Sequence, residues 1–303
     1  MTKHPQSHIL KAALWMIGAI FSFSSMAVAG RQIADSHDTF EIMMYRSFIG
    51  LGILCMFLTY SQRWREITTH RFGMHIARNV VHFSGQNLWF YAITVIPLAQ
   101  VFTLEFTSPI WVIVLAPFLL NEAINRSKML SAILGFIGVL IVARPTPETI
   151  DWGVACAAFA AFFFALTYIF TRNLTQTVSV ACILFWMTAI QAILGIITVT
   201  ADFEVTLPTL TTTPWLLIVA VAGLLAHFCI STALTIAPAT VVVVFEFGRL
   251  PFIFVVGWLL YGEDIELWVV LGALLIFSAI YLNVWSETRA ATTRSNDKQE
   301  THD

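Results

Sequence analysis

Glu105 and Glu246 each belong to a Glu-Phe pair inside an apolar run, LEFTSPIW at Leu104–Trp111 and VVFEFGRLPF at Val243–Phe252. Glu105 lies eight residues past Pro97, and Glu246 eight past Pro238. In a helix of 1.5 Å rise per residue that is about 12 Å of depth, against a hydrocarbon half-thickness of about 15 Å. A charged side chain there costs at least about 2.5–3.5 kcal/mol, so it must face a cavity or a partner. Either acid could hold a substrate cation or a proton. A fixed salt bridge or interhelical hydrogen bond is the plainer alternative. Arg249 is three residues past Glu246, on the same helix face, so that pair can neutralise itself. The position matching Arg249 in the first run is Ser108. Glu105 therefore looks across to Arg78, to Arg249 or to a substrate cation.

A second polar group runs along one helical face. His75, Arg78, His82 and Gln86 are spaced three, four and four, which keeps them on one side. Lipid rejects such a stripe, so it lines a cavity or glues helices together. His75 reads as interfacial, and Arg78 can snorkel to the surface. Gln86 matches His227 at the 141-residue offset. Trp89 and Tyr168, with Trp15, Phe21, Phe23, Phe162, Phe163 and Phe164, are aromatics that would suit a flat or amphipathic ligand. The candidate substrate-binding set is Glu105, Glu246, Arg249, Arg78, His82, Gln86, His227, Trp89 and Tyr168. Arg46 has Met187 as its counterpart, and both a structural role and substrate contact stay open for it. Pro109 and Pro251 withdraw the donors due to the carbonyls of Glu105 and Phe247, giving either carbonyl ligands or packing kinks. Glu122 and Glu263 end their runs and read as turn residues. No carboxylate or second histidine stands at ligand spacing beside His82 or His227, so no metal is expected. No catalytic residues and no cofactor are indicated either.

The elements that hold these residues follow from composition. Of 303 residues, 58% are hydrophobic and 11% charged, against about 25% charged in a soluble domain. Ten apolar runs, near 12–30, 40–60, 73–96, 98–120, 128–144, 152–172, 179–200, 214–235, 239–261 and 267–285, are long enough to cross a bilayer as helices. Strand alternation of a barrel is absent, so an all-α, polytopic membrane protein is expected. Pro97 and Pro238 mark tight turns, and Ser131/Gly135 and Gly135/Gly138 mark close packing on the fifth run. Residues 286–303 form a polar tail, with no soluble domain. Cys55, Cys156, Cys182 and Cys229 all fall in apolar runs and read as buried hydrophobes. The net charge of −2 and the lack of a basic aromatic patch speak against nucleic acid. Lys3, Lys11 and the AVAG of Ala27–Gly30 imitate a cleavable leader. The repeat argues for retention.

That repeat appears when the sequence is slid by 141 positions. Ten identities fall in 33 positions from Ala92 to Ile124, including Pro97/Pro238, Glu105/Glu246 and Glu122/Glu263, and Arg31 meets Arg172 outside that window. Residues 12–144 and 152–285 are thus two five-helix repeats. Five crossings are an odd number, so the second repeat is inverted, with the substrate site near the midplane between them. With the N-terminus (1–11) inside, eleven Lys and Arg fall on cytoplasmic segments and two outside. Both termini are therefore read as cytoplasmic.

The segments Asn87–Ile124, with YAITVIPLA, SPIW and NEAI, and Ser231–Ile265, with TALTIAPA, RLPF and YGEDI, resemble the drug/metabolite transporter superfamily, EamA type. The resemblance spans about residues 10–286. It implies an inner-membrane carrier whose central cavity is lined by the first, third, fourth, sixth, eighth and ninth helices and opens alternately to each side. Members move amino acids, nucleosides, S-adenosylmethionine, sugars and other metabolites, often outward. The buried charges here lean towards a zwitterionic or charged cargo. The expectation is a secondary transporter that exports small polar, zwitterionic or charged metabolites, with uptake of a compound such as S-adenosylmethionine or a carboxylate as the alternative. Protons as coupling ion and the oligomeric state stay open. A lipid-modifying enzyme would need a nucleophile or metal cluster at one interface, and a scaffold would need extended loops; neither feature is present.

Overall fold

The computed structural model describes residues 5–33, 35–96, 98–122, 124–144, 152–200, 205–261 and 267–300. Among them there is no strand. The helices are α1 (Pro5–Arg31), α2 (Thr39–Tyr60), α3 (Phe72–Val95), α4 (Leu98–Glu105), α5 (Ser108–Leu120), α6 (Arg126–Ala143), α7 (Trp152–Thr175), α8 (Val180–Val199), α9 (Thr213–Ile236), α10 (Ala239–Val242), α11 (Arg249–Tyr261) and α12 (Leu267–Glu300). Seven stretches are long and apolar enough to cross a membrane, and the chain is a multi-pass membrane protein. Local chemistry sets the ends. Asp38 and Glu41 form a reciprocal capping box on α2. Asn125 caps α6 through the Lys128 N–H, and Ser179 caps α8 through the Cys182 N–H. Asn121, at φ 54°, takes the left-handed turn that stops α5. Pro97 and the acids Asp202, Glu204, Glu263, Asp264 and Glu266 lie outside the described residues. So do the N-terminal residues 1–4 and the last three, 301–303.

The fourth and ninth runs are not continuous helices, as expected from their sequence, but broken ones. α4 stops at Glu105, and the Thr107 hydroxyl donates to the Leu104 carbonyl at 2.6 Å. α5 then starts afresh at Ser108, with Pro109 in its first turn, where a missing N–H costs nothing. Pro109 therefore begins a helix instead of kinking one. In the ninth run, α10 tightens into a 3-10 stretch, Val243–Gly248, before α11 begins at Arg249. The β-branched run Val241–Val244 is a weaker helix former than its hydrophobicity suggests, and Pro251 cannot donate into the preceding turn. Each acid sits at its break.

The most extensive pairings all join one repeat to the other: α1 with α9, α3 with α7, α2 with α8, and α6 with α12. Exchanging the repeats turns the α1–α9 pair into the α7–α3 pair and maps the other two onto themselves. The halves are therefore interleaved and share one core, which runs from Met16 through Val139, Leu234 and Phe247 to Ile276. At the α6–α12 crossing the backbones nearly touch: a Cβ added at Gly272 would stand 2.8 Å from the Gly138 carbonyl oxygen. Large apolar side chains such as Phe118, Phe277 and Tyr281 are exposed on the outer faces of their helices, as a lipid-facing surface requires.

Candidate functional site

The two breaks bring the acids into one region. Glu105 Oε1 forms an ion pair with Arg249 Nη2, and Glu105 Oε2 accepts from Trp89 Nε1 at 2.7 Å. The guanidinium of Arg249 lies over the rings of Phe106 and Phe23, 5.3 and 5.8 Å from their centroids, a cation–π arrangement. Glu246 Oε1 accepts from the Tyr168 hydroxyl at 2.6 Å. The in-helix pairing of Glu246 with Arg249 is thus not the arrangement found: Arg249 reaches across the repeats to Glu105. Its Nε has no hydrogen-bond partner among the described residues. Five candidates, Glu105, Glu246, Arg249, Trp89 and Tyr168, come together here, with two carboxyls to one guanidinium.

The other four candidates gather beyond Phe23. The ring of His227 packs edge-on to Phe23, with centroids 5.6 Å apart, and to His82, at 4.9 Å. Arg46 donates from Nη2 to Gln191 Oε1 at 2.9 Å. With the Gln86 amide oxygen assigned towards Arg46, it receives both terminal nitrogens of that guanidinium at 3.1 Å. Arg78 does not snorkel. It is 2% exposed and donates to Thr171 Oγ1 at 3.2 Å and to Asn79 Oδ1 at 2.8 Å. His75, in the first turn of α3, is fully buried, and neither of its ring nitrogens has a hydrogen-bond partner among the described residues. A small cavity of about 10 Å³, room for a single water, lies at this group, lined by Arg46, Ser47, Thr188, Gln191, Gly223 and His227.

The stripe His75–Gln86 thus faces protein throughout. Trp15 and Phe21 are 36% and 61% exposed; neither contacts this group, and Phe21 lines a separate open apolar groove between α1 and α9. Sequence reasoning left Arg46 open between a structural role and substrate contact, and it passed over Gln191 and Asn79. Arg46 departs from the repeat, and the two amides carried no signal beyond their polarity in apolar runs. Glu122 turns out to do more than end a run. It accepts from the N–H groups of Ala239 and Thr240 at 3.0 and 3.2 Å and from the Thr240 hydroxyl at 3.0 Å. It also pairs with Arg172 Nε at 3.4 Å. A carboxylate there satisfies the orphan donors at the start of the ninth segment. Its counterpart Glu263 lies outside the described residues. Cys182 and Cys229 are buried, as expected from the sequence, whereas Cys55 and Cys156 are only half-buried. No group of three or more metal-ligating side chains occurs among the described residues.

Two stretches, residues 10–144 and 151–285, each match the EamA-like transporter family. The chain is 25% identical over 280 residues to a protein of Rickettsia bellii named as an S-adenosylmethionine uptake transporter, covering 92% of this chain and 95% of that one. It is 28% identical over 247 residues to a riboflavin transporter of Brucella anthropi, covering 80% and 87% of the two chains. A riboflavin transporter of Vibrio cholerae is 24% identical over 297 residues, covering 95% and 98%. A crystal structure of a protein 13% identical in sequence superposes with a TM-score of 0.79, over 92% of this chain and 98% of that one, and so shares its fold.

Proposed function

The chain belongs to the EamA-like transporter family, and from that premise we propose that it carries a small zwitterionic metabolite by alternating access at the central site. The observation that supports this reading best is the tie between Glu105 of the first repeat and Arg249 of the second. It joins the two broken segments at the depth where inverted-repeat carriers hold their cargo. The surplus carboxyl, Glu246, stands on one side of Phe23. The cations Arg46 and Arg78 stand on the other. A cargo with a positive and a negative end fits that separation of charge. S-adenosylmethionine, the cargo in the name of the Rickettsia relative, has this character. That relative is named for uptake, and we read the direction as inward; the sequence resemblance alone implied export. Glu246, held by one hydroxyl, is the carboxyl we assign to amine or proton binding.

Reconstitution into proteoliposomes tests this. Labelled S-adenosylmethionine should enter in a saturable manner, and Glu246→Gln should lower the rate at least about tenfold, a loss of 1.4 kcal/mol. Flux that responds to an imposed pH gradient would show proton coupling. Flux indifferent to the gradient would show a facilitator. A second reading, a flat neutral cargo such as riboflavin, is favoured by the aromatic wall of Trp89, Phe23 and Phe106. Riboflavin flux without flux of any zwitterion would replace the first reading with it.

A further inference from the structure

Arg46 and Arg78 are two guanidiniums, 7% and 2% exposed, in the middle of an apolar protein. Buried charges are normally paired. Among the described residues neither arginine has a carboxylate partner. Arg46 is held by the amide oxygens of Gln191 and Gln86, and Arg78 by Thr171 and Asn79. These groups accept hydrogen bonds but carry no net charge, so they orient the guanidiniums without balancing them. The two cations also repel each other. Beside them are further buried polar atoms with no hydrogen-bond partner among the described residues: both ring nitrogens of His82, Nε2 of His227 and Nε2 of Gln191. Gln191 can donate only from that nitrogen, and a neutral imidazole always has one N–H to give. Arg46, Gln191 and His227 line one cavity. Uncompensated positive charge, unspent donors and a shared cavity occur in one place.

We infer that the Arg46–Arg78–His82–Gln191–His227 group is a binding site for an anionic group, a carboxylate or a phosphate, on the transported molecule. The Arg46 fork is held by the Gln86 amide oxygen; the two oxygens of an arriving anion take its place on the fork and supply the charge the protein omits. The inference rests on reading the central space as the cargo site and narrows the cargo to molecules with an acidic group. It also explains why the charge is left unbalanced. A built-in carboxylate would occupy the site and bar the cargo, whereas an arriving anion recovers the Coulomb attraction on binding.

Binding to the purified protein in nanodiscs tests this apart from flux. Melting temperature is followed against malonate, inorganic phosphate and neutral malonamide at constant ionic strength. Malonate or phosphate should raise it by several degrees through mass action, and malonamide should not. A response to malonate alone assigns a carboxylate; a response to phosphate alone assigns a phosphate. Arg46→Met, which installs the residue found at the matching position, should weaken the response at least about tenfold. Its ligand-free melting temperature should equal or exceed that of the parent, because an unbalanced buried charge has gone. A purely structural arginine would give a lower one and leave the anion response intact. Should that variant fold poorly, Arg46→Lys keeps the charge but loses the fork, and should weaken the response three- to tenfold. The inference is overturned if neither anion outperforms malonamide, or if the affinity is unchanged in the arginine variants. Anion binding without flux would sink the transport reading alone. Flux without anion binding would sink this inference alone.

Discussion

Glu105 accepts from two donors, Arg249 and Trp89, and single substitutions separate them. Breaking a buried ion pair by removing one partner costs about 3–5 kcal/mol. Glu105→Gln should therefore lower the melting temperature by several degrees and abolish most transport. Trp89→Phe removes only a hydrogen bond to a charged group, worth about 1.5–3 kcal/mol, and should fall between that variant and the parent. The Arg63–Glu66 pair is a contrast outside the apolar segments. Its bonds are 2.5 and 2.9 Å, and the Arg63 hydrogen bond holds the Glu66 carboxyl below its ordinary range. That contribution is present above the ordinary carboxyl pKa and fades as pH falls through the lowered one. Both side chains are exposed, 45% and 30%, so water and salt screen the pair. Glu66→Gln should shift the melting temperature by no more than about a degree at neutral pH. The depth of Glu105 was legible from its distance to Pro97. Its partner was not, because Arg249 lies 144 residues away and the sequence offered Arg78 equally well. Arg46 was legible only as a departure from the repeat.

Among the elements, α6 and α12 cross at Gly138 and Gly272. A Cβ on Gly272 would meet Val142 Cγ2 at 2.3 Å as well as the Gly138 oxygen at 2.8 Å. Backbone cannot give way as a flexible side chain does. Gly272→Ala should destabilise by about 1–3 kcal/mol or more, read as a lower melting temperature in detergent. The 141-residue offset carries Gly138 to Ala279 and Gly272 to Ser131, both fully buried, so small residues stand at equivalent places on both helices. Ser131, Gly135 and Gly138 announced this packing in the sequence. The breaks in the fourth and ninth segments were hidden. Hydropathy averages over a turn, and Pro109 reads as a kink when its real place is a first turn. The matched residues Arg31/Arg172, Pro97/Pro238 and Glu122/Glu263 were visible as a repeat. That Arg172, Glu122 and the start of α10 build one junction needed coordinates, because the junction joins opposite repeats.

For the whole molecule, an all-helical membrane fold of two matching stretches was legible. The interleaving of the halves was not: the sequence picture of two bundles closing on a pocket gives way to helices paired across repeats. The charge asymmetry of the loops makes a further prediction. A fluorescent protein fused after residue 303 should fluoresce in a bacterial host, and an alkaline phosphatase fused there should be inactive. The opposite result would turn the whole topology over. The Glu105–Arg249 tie also bears on energetics. A carrier made of two identical inverted repeats could swap their roles at no cost, and its two orientations would be degenerate. Here the residue matched to Arg249 is Ser108, so the mirror image of the tie, opposite Glu246, has no cation. On the proposed alternating cycle the degeneracy would be lifted: the empty molecule would prefer one resting face, and a passenger would supply the difference to turn it.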